Sequence, residues 1–268
     1  MKPLAIDLYC GLGGWTEGLL AEGYRVVGFD VERHAYGDAK YPAQLVLQDV
    51  LTIHGRQFKD AALIVASPPC QAYSYRAMPW KRAKALPPPD NALFEACFRI
   101  QLEASEAAGM YIPLVVENVR GAQPYVGRAR WHFGSFYLWG DVPALMPITR
   151  KAVKVPTMGA GWYPPDHPKH VPGLAFNTHA ERLVTRRTDK GNGVRFTSRD
   201  CGIERDGIKQ GGDWFNAASL DGDGMQSISR RSGSKSSARK AASAHIAKIP
   251  TVLARHVARA WHPMEQTV

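Results

Sequence analysis

The residues with the clearest chemical potential follow a short apolar run. The run "LIVA" (63–66) leads into "SPPCQ", so Cys70 comes directly after two prolines. A buried strand that ends in a proline-fixed turn would hold a thiol in one position, which favours a nucleophile. A single loop cysteine is more often inert than catalytic, so the interpretation depends on the residues around it.

A second apolar run, "LVVENV" (114–119), ends with Glu117 and Asn118 and brings a carboxylate to the same predicted sheet edge. Burial penalises the charge of such a glutamate unless it has a partner, so Glu117 is a candidate proton donor at neutral pH. Further on, "VGRARW" places Arg128 and Arg130 on one face of an extended segment. Taken alone, these arginines are better explained as a solvated strand edge.

A glycine-rich turn, "DLYCGLGGWTEGL" (7–19), follows a predicted strand and opens a helix. Glycines let the backbone turn sharply and approach a ligand, and the helix N-terminus offers free N–H donors. The spacing D-x-Y-x-G-x-G-G differs from the dinucleotide fingerprint and from the phosphate loop. Asp30 is placed to accept hydrogen bonds from a ribose, and Asp49 to receive an adenine amino group. The pattern favours a nucleoside-containing cofactor, with a turn needed only for packing as the alternative.

The elements that must position these residues alternate between strand-like and helix-like patterns over residues 1–140. The predicted strands are "PLAIDLY", "YRVVGFD", "LIVA", "LVVENV" and the aromatic-rich "HFGSFYLWG" (132–140). One predicted helix, "GWTEGLLAEG", ends at Gly23, and a long one over 91–109 has Asn91 as its N-cap and Gly109 beyond its end. This alternation predicts an α/β fold with a Rossmann-like mixed, mostly parallel sheet and helices on both faces.

The composition changes after residue 150, where Gly, Pro, Ser and Arg dominate. Residues 151–245 hold 16 Lys and Arg against nine Asp and Glu, a net charge of +7 out of +10 for the chain. An excess confined to one segment is typical of a surface that faces a polyanion, although a solvated basic loop region would look the same. We predict a small, irregular, basic domain at 150–240.

This assignment divides the chain into three parts. Residues 1–149 form the predicted catalytic and cofactor-binding domain, and residues 241–268 form a C-terminal helix that returns to it. Within that helix, Ile249, Leu253, Val257 and Trp261 repeat every four residues and predict one apolar face.

Other features exclude whole classes of protein. No apolar stretch approaches the roughly 20 residues that span a bilayer. The start "MKPLAIDLYCGLGG" has the pattern of a strand entering a turn, so we expect a cytoplasmic or nucleoid-associated protein. The four scattered cysteines predict reduced thiols. His167, His170 and Cys201 lack a fourth ligand, so we predict no metal.

Taken in order, the motifs resemble those of the cytosine carbon-5 DNA methyltransferases, which use S-adenosylmethionine. They are D-x-Y-x-G-x-G-G, Asp30, Asp49, "PPCQ", "ENV" and "R-x-R", within residues 4–139. The resemblance implies an enzyme that flips a cytosine out of double-stranded DNA. We expect a monomer, and the small size and short basic segment are typical of a phage-type member. Cys70 would add to carbon 6, and carbon 5 would take a methyl group, leaving S-adenosylhomocysteine.

The resemblance also implies a role for each site residue. Cys70 would be the nucleophile, Glu117 would hold and protonate ring nitrogen 3, and Arg130 would contact the ring carbonyl. Arg128 would support Cys70 and a neighbouring phosphate, and Asn118 would anchor the cysteine loop. The implied cofactor contacts are Asp7, Tyr9, Gly11, Gly13, Gly14, Asp30, Val31, Asp49 and Pro69. The implied substrate contacts are Gln71 and Ser74, with Arg186, Arg187, Arg195 and Arg199 as candidate base readers.

The chain departs from the family pattern at two places. Val126 stands where the arginine motif usually begins with glutamine, and "SGSKSSARKAASAHIAKIP" lacks the usual Gly-Asn-Ser. The second departure, with Lys235, Arg239 and Lys240 nearby, leaves open a modified cofactor that carries a negative group. The alternatives to DNA methylation are an RNA (tRNA) cytosine-5 methyltransferase and a non-catalytic DNA-binding relative.

Overall fold

The computed structural model describes residues 2–74, 87–147, 240–241, 244–245 and 247–263. The strands are β1 (Leu4–Leu8), β2 (Arg25–Asp30), β3 (Ala35–Tyr36), β4 (Ala39–Lys40), β5 (Gln44–Leu47), β6 (Ala61–Ala66), β7 (Leu114–Asn118), β8 (Trp131–Phe133) and β9 (Phe136–Gly140). The helices are α1 (Gly14–Ala21), α2 (Ala92–Ala108), the one-turn α3 (Gln123–Val126) and α4 (Thr251–Ala260). The predicted basic domain lies outside these residues, apart from Lys240.

Seven strands form one sheet in the order β5-β2-β1-β6-β7-β9-β8, and β3 pairs with β4 in a small ribbon. The five strands from β5 to β7 pair in parallel, whereas β9 runs antiparallel to both of its neighbours. The strand order reverses at β1, and open α/β sheets bind ligands beyond the carboxyl ends of strands at such a point. The predicted Rossmann-like, mostly parallel sheet is therefore confirmed.

Helices cover both faces of the sheet, as predicted. Leu63 and Val65 of β6 belong to one buried cluster, which includes Leu19 of α1 and Leu253 of α4. Ile64 belongs to the other cluster, with residues of α2. Because alternate side chains of a strand point to opposite faces, β6 is apolar along its whole length.

Helix α4 packs so closely on α1 that only glycine fits at the contact. A Cβ atom at Gly18 would lie 2.4 Å from the Cβ of Ala254, and one at Gly14 would lie 2.4 Å from the backbone nitrogen of Ile249. Leu253 and Val257 are fully buried on this face, as the four-residue repeat predicts. The glycines therefore allow two helices that are far apart in the chain to share one core.

The predicted extent of the C-terminal helix is wrong. Residues 240–241, 244–245 and 247 are helical. The helix was expected to continue through residue 250, but Pro250 has an extended backbone (ψ 135°) and the separate helix α4 begins at Thr251. Proline has no backbone N–H to continue a preceding helix, whereas it is well suited to stand just before a new one.

The aromatic segment 132–140 was predicted as one strand, and this is also wrong. It contains the hairpin of β8 and β9, in which Phe133 pairs with Phe136 across Gly134 and Ser135. Gly134 has φ +59°, a left-handed conformation that glycine adopts without strain. The Gly-Ser pair is a recognised hairpin signal that the aromatic run obscured.

Among the described residues, no helix is long and apolar enough to cross a membrane.

Gly18→Ala should destabilise the protein, although alanine is the better helix former by about 1 kcal/mol. The added methyl group has no space against Ala254, so the free energy of unfolding should fall by about 1 to 3 kcal/mol. Urea denaturation measures this change. Leu20→Ala, on the exposed side of the same helix, is the control and should stay within about 0.5 kcal/mol. A Gly18→Ala protein as stable as the wild type would contradict the packing.

Candidate active site

The loop after β6 holds Cys70 between two anchored residues. Pro68 and Tyr73 are buried, and the backbone N–H of Tyr73 donates to the Cys70 carbonyl at 3.0 Å. Cys70 itself is half-buried, and Pro69 and Gln71 are exposed. The thiol thus lies on a tight turn at the surface, as the two prolines predict.

The end of β7 is joined to this loop by one buried side chain. Asn118, 1% exposed, donates from Nδ2 to the Pro68 carbonyl at 3.0 Å and accepts the N–H of Val119 at Oδ1 at 2.8 Å. Glu117, the preceding residue, is 4% exposed. The strand that carries the carboxylate and the loop that carries the thiol are therefore held together at one sheet edge.

The arginine segment lies in the same row of the sheet. Glu117 pairs with Leu138 of β9, and the N–H of Arg130 donates to the Leu138 carbonyl at 2.8 Å. Two strand spacings separate the backbones of Glu117 and Arg130, about 10 Å. The side chains of Arg128 and Arg130 are exposed. Leu138 also pairs with Trp131, the residue after Arg130, so the arginine segment lies two strands away from Glu117.

Two further side chains hold the arginine segment, and neither was identified from the sequence. Trp139 donates from Nε1 to the Gly127 carbonyl at 2.9 Å. Gln123 accepts the N–H of Ala129 at Oε1 at 3.2 Å. A glutamine one helical turn before Val126 thus supports the backbone between the two arginines. Its position in the chain was visible, but only the fold shows where its side chain points.

The glycine turn after β1 has three residues in the left-handed region, Tyr9 (φ 58°), Gly11 (φ 51°) and Gly13 (φ 78°). The N–H of Gly11 donates to Oδ2 of Asp30 at 2.9 Å. A Cβ atom at Gly11 would meet no described atom within 4 Å. Within the described part of the chain, the turn therefore leaves space beside Gly11, at the edge where β1 and β2 end.

The other residues of the turn are packed against protein atoms rather than next to open space. A Cβ atom at Gly13 would lie 2.6 Å from Cδ of Pro42, and Gly14 is packed against Ile249. The Tyr9 hydroxyl donates to the Leu93 carbonyl at 2.7 Å, so its ring lies toward α2. These contacts account for the residue types at 9, 13 and 14 through packing and backbone conformation.

Acidic and apolar side chains flank the turn at the ends of β2 and β5. Burial raises the pKa of Asp30, but contact with His34 and hydrogen bonds from the backbone of Gly11 and Glu32 outweigh this and leave the pKa below its usual value. Asp30 is thus an anion. Val31 beside it is 68% exposed. Asp49 is exposed and accepts the N–H of Leu51 at 2.9 Å. Anionic acceptors beside exposed apolar surface fit a nucleoside.

Asp7 lies beneath the turn rather than on its surface. It is 1% exposed and its Oδ2 accepts the Thr16 hydroxyl at 2.6 Å, whereas Oδ1 has no hydrogen-bond partner among the described residues. Burial raises the pKa of Asp7 to about 7, the Thr16 hydrogen bond opposes this, and the Asp30 charge adds to it. The Tyr41 hydroxyl meets Thr16 at 2.7 Å.

The other predicted contacts are only partly covered by the structure. Ser74 is half-buried at the end of the described cysteine loop. The candidate base readers Arg186, Arg187, Arg195 and Arg199 lie outside the described residues. Among the residues that are described, no three His, Cys, Asp or Glu side chains cluster as a metal site.

The strand order and the helices on both faces of the sheet are those of a Rossmann-like fold. Residues 4–123 match the family described as C-5 cytosine-specific DNA methylase. The match covers a little under half of the chain, and it confirms the resemblance of the motifs to this family. No curated protein matches the chain significantly.

Three solved structures each match a little under half of this chain. A prophage-encoded E. coli protein described as a DNA modification methyltransferase is 23% identical, with a TM-score of 0.33, over 45% of this chain and 33% of its own. The S. pombe Dnmt2 methyltransferase is 17% identical, with a TM-score of 0.32, over 46% and 36%. The Entamoeba histolytica methyltransferase EhMeth is 15% identical, with a TM-score of 0.32, over 47% and 41%. The matched region spans about a third of the first two chains.

Asp7 predicts an unusual dependence of stability on pH. A folded pKa of about 7 against an ordinary 3.8 corresponds to about 4 kcal/mol. Because the folded pKa is raised, this stability is fully present below pH 3.8 and is lost as the pH rises through 7. Relative to Asp7→Asn, the wild-type free energy of unfolding should therefore fall between about pH 4 and pH 8.

Urea denaturation of both proteins across this range measures the difference. Asp30, with its lowered pKa, gives the opposite slope in both proteins, so the difference between the two profiles reports on Asp7 together with its charge interaction with Asp30. Parallel pH profiles for wild type and Asp7→Asn would show that the carboxyl group has an ordinary pKa.

Proposed function

We propose that this protein is an S-adenosylmethionine-dependent DNA cytosine-5 methyltransferase that acts on a cytosine flipped out of duplex DNA. The observation that carries the proposal is the joining of three segments at one sheet edge. Asn118 ties the Cys70 loop to the strand end at Glu117, and the hydrogen bond of Arg130 with Leu138 sets the arginine segment in the same row. A thiol, a carboxylate and a guanidinium are the groups that activation of cytosine requires.

Carbon 5 of cytosine is a poor nucleophile, so the ring must first be activated. The Cys70 thiolate forms a bond to carbon 6, and the electron pair of the 5,6 double bond moves into the ring toward nitrogen 3 and the carbonyl. Glu117 delivers a proton to nitrogen 3, and Arg130 binds the carbonyl oxygen, so the added charge is neutralised as it forms. Carbon 5 thereby gains enamine character.

S-adenosylmethionine would supply an electrophilic methyl group carried on a sulfonium. The residues at the glycine turn fit such a group because Gly11 borders open space, Asp30 is an anionic acceptor and Val31 offers exposed apolar surface. Asp49 would receive the adenine amino group. Asp7, Tyr9, Gly13 and Gly14 would act through the shape of the turn, and Pro69 from the cysteine loop.

The final steps restore the aromatic ring. After methylation, the proton on carbon 5 leaves to a base, the electron pair re-forms the 5,6 double bond, and Cys70 departs as thiolate. Because Cys70 is both the entering and the leaving group, it must stay close to carbon 6 throughout. The anchors at Pro68 and Tyr73 serve this requirement by limiting the motion of the turn.

Duplex DNA is the proposed substrate because the segment 151–245 carries a net charge of +7. Phosphate contacts from this segment would offset the few kcal/mol that base flipping costs, and they would make binding salt-dependent. Arg128, Gln71 and Ser74 would border the flipped nucleotide. Arg186, Arg187, Arg195 and Arg199 remain the proposed base readers.

Duplex DNA that contains 5-fluorocytosine should trap the wild-type protein as a covalent adduct when S-adenosylmethionine is present. Fluorine on carbon 5 cannot leave as a proton, so the Cys70 bond to carbon 6 persists. Cys70→Ser should abolish this adduct and leave the dissociation constant for DNA within about twofold. A denaturing gel scores the adduct, and fluorescence anisotropy gives the affinity.

Cys97→Ala is the matched control, because Cys97 is a buried thiol on α2 that donates to Leu93 within its own helix. This variant should still form the adduct. Transfer of a labelled methyl group into duplex DNA and into tRNA is measured in parallel. Incorporation into tRNA alone would reject the DNA substrate, and an adduct with Cys70→Ser would reject the nucleophile.

Gln123 should affect the rate of adduct formation through its hydrogen bond with Ala129, which lies between Arg128 and Arg130. Gln123→Met removes the acceptor for the N–H of Ala129 and should slow trapping up to about tenfold, the value of one ordinary hydrogen bond. Gln123→Glu keeps an acceptor at this position and should stay near the wild-type rate. Single-turnover trapping with saturating DNA measures both. Equal rates for the two variants would mean that this hydrogen bond does not position the arginines.

A further inference from the structure

The side chain of Asn91, at the start of α2, forms its hydrogen bonds with residues outside its own helix. Asn91 is the N-cap residue of α2, as predicted, but its side chain makes no capping hydrogen bond. Its Oδ1 instead accepts the Tyr73 hydroxyl at 2.9 Å, and its Nδ2 donates to the Tyr125 carbonyl at 3.2 Å. These partners lie 18 and 34 residues away in the chain.

The backbone N–H groups in the first turn of α2 have acceptors other than the Asn91 side chain. Asp90 accepts the N–H of Ala92 at Oδ1 at 2.8 Å, and the Asn91 carbonyl accepts the N–H of Phe94 and of Glu95, both at 2.9 Å. These bonds supply the acceptors that an N-cap side chain would otherwise provide. The two long-range bonds of Asn91 therefore serve a different purpose.

The orientation of the amide follows from its partners. The Tyr125 carbonyl can only accept, so Nδ2 must face it, and Oδ1 is then left for the Tyr73 hydroxyl. The asparagine amide donates from Nδ2 and accepts at Oδ1 without a change of protonation, so it satisfies both partners at once. The bridge depends on the amide itself rather than on a polar residue in general.

Each partner of the bridge belongs to a segment of the candidate site. Tyr73 ends the turn that holds Cys70, and its ring is 3% exposed. Tyr125 lies in α3, three residues before Arg128, and its ring centroid is 6.1 Å from that of Tyr73. A Cβ atom at Gly121 would lie 2.2 Å from the Tyr73 carbonyl, so the two backbones are already in close contact.

We propose that Asn91 is a positioning residue that couples the cysteine loop to the arginine segment, so that Cys70 and Arg128 are held in register with each other. The proposal rests on the function proposed above. Asn91 touches neither the reacting ring nor the cofactor in this account, and it acts through Tyr73 and Tyr125. Catalytic geometry is sensitive to displacements of about 1 Å, so loss of one bond in this bridge should slow the reaction measurably.

The test uses Asn91→Asp, Tyr73→Phe and the double variant of the full-length protein. Asn91→Asp keeps an acceptor for Tyr73 but cannot donate to Tyr125, and aspartate is an equally good N-cap. Tyr73→Phe removes only the hydroxyl group. Each single variant should slow single-turnover trapping by 5-fluorocytosine DNA about tenfold, with dissociation constants for DNA and S-adenosylmethionine within about twofold of wild type.

Because both changes break the same bridge, the double variant should be no slower than the slower single variant. Asp90→Ala is the control: it removes an acceptor from the same helix start, and it should lower the melting temperature without slowing trapping. Multiplicative effects in the double variant, or slowing by Asp90→Ala as large as that by Asn91→Asp, would overturn the coupling.

Amide hydrogen exchange separates failure of this proposal from failure of the proposed function. In Asn91→Asp, exchange should rise in both segments, at Tyr73 and at Ala129 and Arg130, whereas in Asp90→Ala it should rise only in the first turn of α2. If wild type forms no adduct, the proposed function fails, and the exchange data still decide the coupling. Unchanged exchange in either segment of Asn91→Asp would reject it.

Discussion

Parallel pairing of β1 with β2 on one side and β6 on the other is the constraint on which the candidate site depends. Leu8 is in register with Phe29 and with Ala66, and all three side chains are buried. A slip of one residue would turn every core side chain of β1 to the wrong face, so the register is strongly determined. Since parallel strands end at the same edge, the glycine turn, Asp30 and the cysteine loop are brought together by the core itself.

Hydrogen bonds from buried side chains anchor the loops at this edge of the sheet. Asn118 reaches the Pro68 carbonyl, and Trp15 of α1 donates from Nε1 to Oγ of Ser67 at 2.9 Å. Trp139 reaches Gly127 in the arginine segment. Each of these donors is buried, and each bonds to an acceptor in a loop. The loops that would bear the chemistry are thereby supported by the sheet and by α1.

Helix α4 comes from a distant part of the chain and packs against α1, the helix that follows the glycine turn. The Tyr24 hydroxyl, at the start of β2, donates to the Ala258 carbonyl at 3.0 Å. Glu22 forms ion pairs with Arg255 at 2.5 Å and Arg259 at 2.7 Å. These pairs lie at the surface, so the buried face of α4 contributes more to stability than they do. The helix that follows the glycine turn is covered because α4 returns to it.

Most of the sheet could be predicted from the sequence, because buried parallel strands leave apolar runs that end in turn residues. β1, β2, β6 and β7 were predicted within two residues at each end, and α1 and α2 also matched. The β8–β9 hairpin and the start of α4 were not, since a single aromatic run and a four-residue repeat masked the effects of Gly134 and Pro250. Local sequence patterns predict structure least well where a single residue changes the direction of the chain.

The sequence by itself determined the chemistry that the chain offers: a thiol, a carboxylate and two arginines, each near the end of a predicted strand, and a glycine turn before a helix. These features are local, and they follow from residue type and spacing. Only the tertiary structure decided which side chains hold them in place. Gln123 and Asn91 have no local signal for their roles, because the partner of an amide depends on which backbone group the fold brings within hydrogen-bond distance.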